Sequence, residues 1–142
     1  MENRLICLDT SVLIDYYRKK DKSKSLFFKL TERYSLFAVS AITAYELYLG
    51  NSEEQNIFWD KFFSQITVLS FDAKAARKAV DIYKQLKTQN KLIEVPDILI
   101  AGTVMCFNLP LATLNRKHFE RISGLEIVED WQYRGDKTLT GF

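Results

Sequence analysis

Three acidic residues in this chain have nothing near them in sequence to balance their charge: Asp9, Glu46 and Asp97. Asp9 ends the apolar run "RLICL", and its nearest sequence cation is Arg4. Glu46 lies four residues after Ile42 and three before Leu49, so at helical spacing it sits on or beside an apolar face. Asp97 follows Pro96 and has Ile100 and Ala101 three and four residues on. A buried carboxylate without a partner is costly, so each of these acids needs one from elsewhere in the fold. Each has an ordinary explanation when taken alone. Asp9 suits a helix N-cap, Asp97 suits the first turn of a helix, and a tyrosine or backbone group would satisfy Glu46. Taken together they point to a shared counter-ion, and hard divalent cations such as Mg²⁺ or Mn²⁺ prefer oxygen ligands. No softer site competes, because the chain has one histidine and two cysteines, Cys7 and Cys106, each single within an apolar run. The other acids keep ordinary company. Asp15 has Arg18 and Lys19 within one helical turn, and Asp81 has Arg77, Lys78 and Lys84.

The elements that must position these acids alternate in type. "LICLD" reads as a short strand, and Thr10 or Ser11 then caps a helix over "SVLIDYYRKK". A helix over "SLFFKLTERY" leads to the strand "LFAVS", followed by a helix over "AITAYELYLG" with a glycine at the usual C-cap position. The amphipathic "SEEQNIFWDKFFSQI" precedes the strand "TVLSF", and Asp72 caps a long helix that carries lysines toward its end. "VPDILIAGTVMCFN" opens with proline at a first helical position, "LPLATLN" is a further strand, and "LEIVED" finishes the domain. Short, nearly all-apolar strands alternating with helices predict a mostly parallel central sheet covered on both faces, an α/β three-layer sandwich. Ligands of such open sheets bind beyond the carboxyl ends of the strands, which is where Asp9 falls.

Composition bounds the rest. A chain of 142 residues is most simply one domain, here taken as 1–134, with 135–142 read as a loose tail. The longest uncharged-looking stretch, "VPDILIAGTVMCFNLPLATLN", contains an aspartate and two prolines, which argues against a membrane span. The N-terminus lacks a signal-type core, and single cysteines suit a reducing compartment, so a cytoplasmic protein is expected. The formal net charge of +2 permits a nucleic-acid partner without demanding one. The aromatic run "IFWDKFF" reads as core or a dimer face, and Trp131 as packing for the final strand. A lone histidine beside Phe119, His118, is expected to be structural.

The segments "LDTSVLID", "SAITAYELYLG", "PDILIAGTV" and "LATLNRKHFERISGLEIVEDW", in that order, resemble the PIN domain, in particular the VapC-type toxin ribonucleases. The resemblance runs from about residue 4 to residue 131 and implies a PIN-like, Rossmann-like sheet with flanking helices. It implies a metal-dependent endoribonuclease using Mg²⁺ or Mn²⁺, with Asp9, Glu46 and Asp97 as catalytic acids and metal ligands. Thr10, Ser11, Thr113 and Asn115 take supporting polar roles, and Arg116 and Lys117 are the RNA-binding candidates. The implied partners are an RNA substrate, a cognate antitoxin and a second copy of the chain. The fullest family pattern has a fourth acid near "TxN", where this chain has Asn115 and then His118. That departure leaves a set suited to one ion and keeps a second class in view, a weakly active or inactive PIN-like module that binds RNA or protein. A phosphorylated receiver-type domain is disfavoured, because it would need an acid pair after the first strand and a lysine where "LATLN" stands.

Overall fold

A computed structural model describes residues 2–129, so Trp131 and the tail read at 135–142 lie outside the described residues. Four strands, β1 (Glu2–Leu8), β2 (Tyr34–Ser40), β3 (Thr67–Leu69) and β4 (Leu111–Ala112), form one sheet in the order β3-β2-β1-β4. All three pairings are parallel. "LEIVED" adds only a single parallel bridge, between Leu111 and Ile127, beside β4. The helices are α1 (Thr10–Arg18), α2 (Leu26–Thr31), α3 (Ala41–Leu49), α4 (Glu53–Phe63), α5 (Ala73–Thr88), α6 (Val95–Cys106) and α7 (Arg116–Phe119). Among the described residues no helix is long and apolar enough to cross a membrane.

Alternation along β1 divides the core. Leu5 and Cys7 face a cluster built from α5, α6 and α7, including Ile82, Leu86, Ile100, Val104 and Phe119. Ile6 and Leu8 face the opposite cluster, with Val12, Leu13, Leu30, Leu47 and Trp59. Side chains of a strand alternate between faces, so an all-apolar strand must be covered twice, and the three-layer sandwich follows. The run "IFWDKFF" divides within itself. Phe58, Trp59, Phe62 and Phe63 join an edge-to-face aromatic cluster, whereas Ile57 is exposed.

Local signals mostly hold. Asp72 caps α5 by accepting from the Ala75 N–H at 3.0 Å, and Ser52 with Gln55 forms a reciprocal capping box on α4. Two differ. Gly50 does occupy the C-cap of α3, but with φ −108° and nothing within 4 Å of a built Cβ, so its special freedom is not used. Asp15, expected on a solvated face with Arg18 and Lys19, is instead largely covered. It pairs with Lys19 at 3.5 Å and accepts from the Leu26 N–H at 3.1 Å, tying α1 to the start of α2.

Candidate active site

The site lies at the carboxyl edge of the sheet and starts with Asp9, directly after β1. Its position is the N-cap of α1, one residue before the caps expected at Thr10 or Ser11, yet its carboxylate makes no capping hydrogen bond. The backbone holds it in place, its N–H donating to the Ala112 carbonyl at 2.9 Å, and the side chain is turned elsewhere. Oδ2 accepts two hydroxyls, from Ser11 at 2.7 Å and from Thr113 at 2.8 Å. Those hydroxyls are themselves oriented, because the Leu114 N–H donates to Ser11 Oγ and the Asn115 N–H donates to Thr113 Oγ1. Among the described residues Oδ1 has no hydrogen-bond partner, although Asp9 is 1% exposed. A buried carboxylate oxygen without a donor is an unsatisfied lone-pair site, which costs free energy until something electropositive meets it.

Glu46 comes from α3, which follows β2. Ser40 caps that helix through the Thr43 N–H at 3.1 Å, and Thr43 is fully buried. The Thr10 hydroxyl lies 2.8 Å from Glu46 Oε1 and 2.9 Å from Thr43 Oγ1. Thr10 faces two acceptors with one proton, and the charged carboxylate is the stronger of the two. Glu46 is therefore anchored by neither a tyrosine nor the backbone but by the first residue of α1. Thr43 was not picked out from the sequence, yet its position three residues before Glu46 on the same helix face was the available signal.

Asp97 stands in the first turn of α6, half-buried. Burial first, then the negative charges of Asp9 and Glu46, push its carboxyl up to about 6, with His118 opposing and Glu94 reinforcing. The three acids, 37 and 88 positions apart from Asp9 in sequence, are thus brought within one electrostatic field. His118 Nδ1 lies 3.8 Å from Asp97 Oδ2 with its side chain about half exposed, so the histidine sits at the rim of the site and not in the core. Glu94, at the N-cap of α6, is a site neighbour that sequence reasoning passed over, and His118 is one that it read as structural. Both lie three residues from a residue it had selected.

The remaining candidates separate by what they touch. Thr10, Ser11 and Thr113 contact the acids directly, and the Asn115 side chain is exposed near them without a hydrogen bond among the described residues. Arg116 is committed within the fold: it donates to the Val128 carbonyl at 3.1 Å and pairs with Glu129 at 2.9 Å and with Glu120 at 3.3 Å. Lys117 is exposed. Cys7, next to the site on β1, is pushed up to about 12 by burial and by Asp9, so it is an inert core thiol.

The donor set that faces the site is oxygen throughout, apart from the rim histidine. Among the described residues no three His, Cys, Asp or Glu side chains stand close enough to form a ready-made coordination sphere. The unpartnered Asp9 Oδ1 is nevertheless the kind of donor a hard cation takes, and hard cations complete their shells with water.

A sequence model of the PIN domain matches residues 6–125. The chain is 37% identical over 135 residues to Ribonuclease VapC1 of Methanocaldococcus jannaschii, with 90% of each chain covered. It is 33% identical over 129 residues to the tRNA(fMet)-specific endonuclease VapC of Shigella flexneri, covering 87% of this chain and 96% of that one. Its fold is similar to DNA-bound VapBC from Salmonella typhimurium, a toxin–antitoxin complex, with TM-score 0.76 and 30% identity over 92% of this chain and 99% of that one. With its parallel sheet and its acids gathered at the carboxyl edge, and with a family match over most of its length, the chain belongs to the PIN domain family.

Proposed function

We propose that this protein is a Mg²⁺- or Mn²⁺-dependent endoribonuclease that hydrolyses RNA phosphodiester bonds in the cytoplasm as the toxin of a toxin–antitoxin pair. The observation that carries this reading is Asp9: one carboxylate oxygen held by two oriented hydroxyls, the other buried and unsatisfied, in the same field as Glu46 and Asp97. The relatives named ribonuclease support the reaction class, and the VapBC complex supports an antitoxin partner.

Asp9 Oδ1 and Asp97 would hold the cation, with Glu46 acting through a water. A bound Mg²⁺ or Mn²⁺ supplies Lewis acidity toward the phosphate and lowers the pKa of water. Ser11 and Thr113 fix the rotation of the Asp9 carboxylate, so that the same oxygen, Oδ1, is always the one left without a donor. Thr10 holds Glu46 by Oε1, which leaves Oε2 to accept a hydrogen bond from the attacking water and orient it. Burial and the neighbouring acids raise the Asp97 carboxyl to about 6, so holding a cation would require it to give up its proton. His118 stands beside Asp97 on the solvent side. A homodimer is part of this reading, with exposed Tyr45, Leu49 and Ile57 on α3 and α4 as its candidate apolar face.

The test is incubation of antitoxin-free protein with total tRNA and rRNA, with and without Mg²⁺ or Mn²⁺. Cleavage should require the cation, stop with EDTA, and fall at least about a hundredfold for Asp9→Asn and Asp97→Asn, more than loss of a supporting partner costs. RNA or protein binding that persists through chelation without any cutting would instead identify the inactive binding module, which the missing fourth acid and the free Asn115 side chain favour.

A further inference from the structure

A cavity of about 530 Å³ opens beside the carboxylates along α1 and has no part in the hydrolytic chemistry described above. It is an open depression lined by Ser11, Ile14, Asp15, Arg18 and Lys19 of α1 and by Leu114 and Asn115. Ser11, which lines it, donates to Asp9, so the cavity adjoins the acid cluster through that one residue. Positions 11, 14 and 18 share one face of α1, and the rise of a helix places Arg18 about 10 Å along the axis from Ser11.

We propose that this cavity is a subsite for the RNA strand adjoining the cut bond, with Arg18 as its phosphate contact. The inference rests on the ribonuclease reading. A strand cut at the carboxylates must continue across the neighbouring surface, and this cavity offers it a cation, an amide and apolar side chains. Arg18 is exposed and makes no hydrogen bond or ion pair among the described residues. Its planar fork matches two phosphate oxygens, which a lysine cannot do. The cavity's own carboxylate, Asp15, offers little repulsion, because Lys19 pairs with it and the Leu26 N–H donates to it. The Asn115 side-chain amide is free to donate and accept at a ribose hydroxyl or base edge, and Ile14 and Leu114 provide surface for a sugar or base. Two other cations nearby are committed to the fold. Lys22 donates to the carbonyls of Tyr16 and Tyr17 at 2.7 Å and closes the end of α1, and Arg116 is held by two carboxylates.

The test measures binding of total tRNA to Asp97→Asn protein, in which cutting is blocked, over a range of salt, with Arg18 intact or changed to Ala or Lys. Arg18→Ala should bind about tenfold more weakly, as loss of a charge-assisted hydrogen bond implies. Its slope of log affinity against log salt should shrink by about 0.7, the value for one phosphate contact on a single strand. Arg18→Lys should recover the slope and part of the affinity. Unchanged melting temperatures would exclude misfolding, since Arg18 is exposed. If the otherwise unaltered protein cuts tRNA while Arg18→Ala leaves affinity and slope alone, the subsite is overturned and the nuclease reading stands. If that protein neither cuts nor binds RNA with either cation, both fall. If Arg18→Ala weakens only the complex with co-expressed antitoxin, the cavity docks protein and the RNA subsite is overturned.

Discussion

Asp97 shows how a site residue is held at a cost. Its carboxyl is raised to about 6 from 3.8, chiefly by burial and then by Asp9 and Glu46. Below pH 3.8 the group is protonated in both folded and unfolded chains and imposes no penalty. Between 3.8 and 6 the unfolded chain releases its proton first, so stability falls as pH rises, and above 6 the penalty is complete. The shift of roughly two units bounds that penalty at about 2–3 kcal/mol. Asp97→Asn should therefore stabilise the metal-free protein by up to about 2 kcal/mol at pH 7–8 and by little at pH 4, as measured by urea unfolding at both values. A variant less stable than the parent at pH 8 would mean that Asp97 is satisfied locally and is not repelled by the other acids.

At the scale of elements, α5 and α6 make the most extensive helix contact among the described residues, and Gly102 is part of the reason. A Cβ built there would lie 2.9 Å from the Ala75 carbonyl oxygen and 3.0 Å from the Ala79 Cβ. The small residues Ala75, Ala79 and Gly102 let the two backbones approach, and α6 in turn sets where Asp97 stands. Gly102→Ala gains about 1 kcal/mol of helix propensity, but overpacking against backbone costs about 1–3 kcal/mol. Net destabilisation is expected in a denaturant melt, with Gly102→Val worse. If the alanine variant is more stable, the helices are farther apart than described. The same logic explains why α1 begins at Thr10. Asp9 occupies the capping position but spends its carboxylate on Ser11 and Thr113, so the helix start gives up a cap to build the site.

For the whole molecule, the relevant coupling is between cation binding and folding. Asp9, Glu46 and Asp97 reach the site from three separate elements, so a cation that binds them binds only the folded chain. At a hundredfold excess over its dissociation constant it should add about 2.7 kcal/mol of stability. Mn²⁺ titration should raise the melting temperature of the parent protein, and Asp9→Asn should abolish most of that rise even with no RNA present. Equal shifts in both proteins would place the cation elsewhere. Mutual repulsion among the acids and the unsatisfied Asp9 Oδ1 are the two features such an ion would relieve.

The sequence by itself determined the fold class and singled out three acids that folding brings into one electrostatic field. An all-apolar strand needs cover on both faces, and a carboxylate among apolar neighbours lacks a local counter-charge; both are properties of near neighbours along the chain. The tertiary structure alone decided partners. Nothing in the spacing of residues 9, 11 and 113 shows that two hydroxyls meet one oxygen of Asp9 and leave the other bare. Nor does it show that Thr10 reaches Glu46, that His118 borders Asp97 or that Arg116 is tied to Glu120 and Glu129 while Arg18 is not. Hydrogen bonds and ion pairs form over about three ångströms, and only the folding of distant segments onto one sheet edge brings such groups that close.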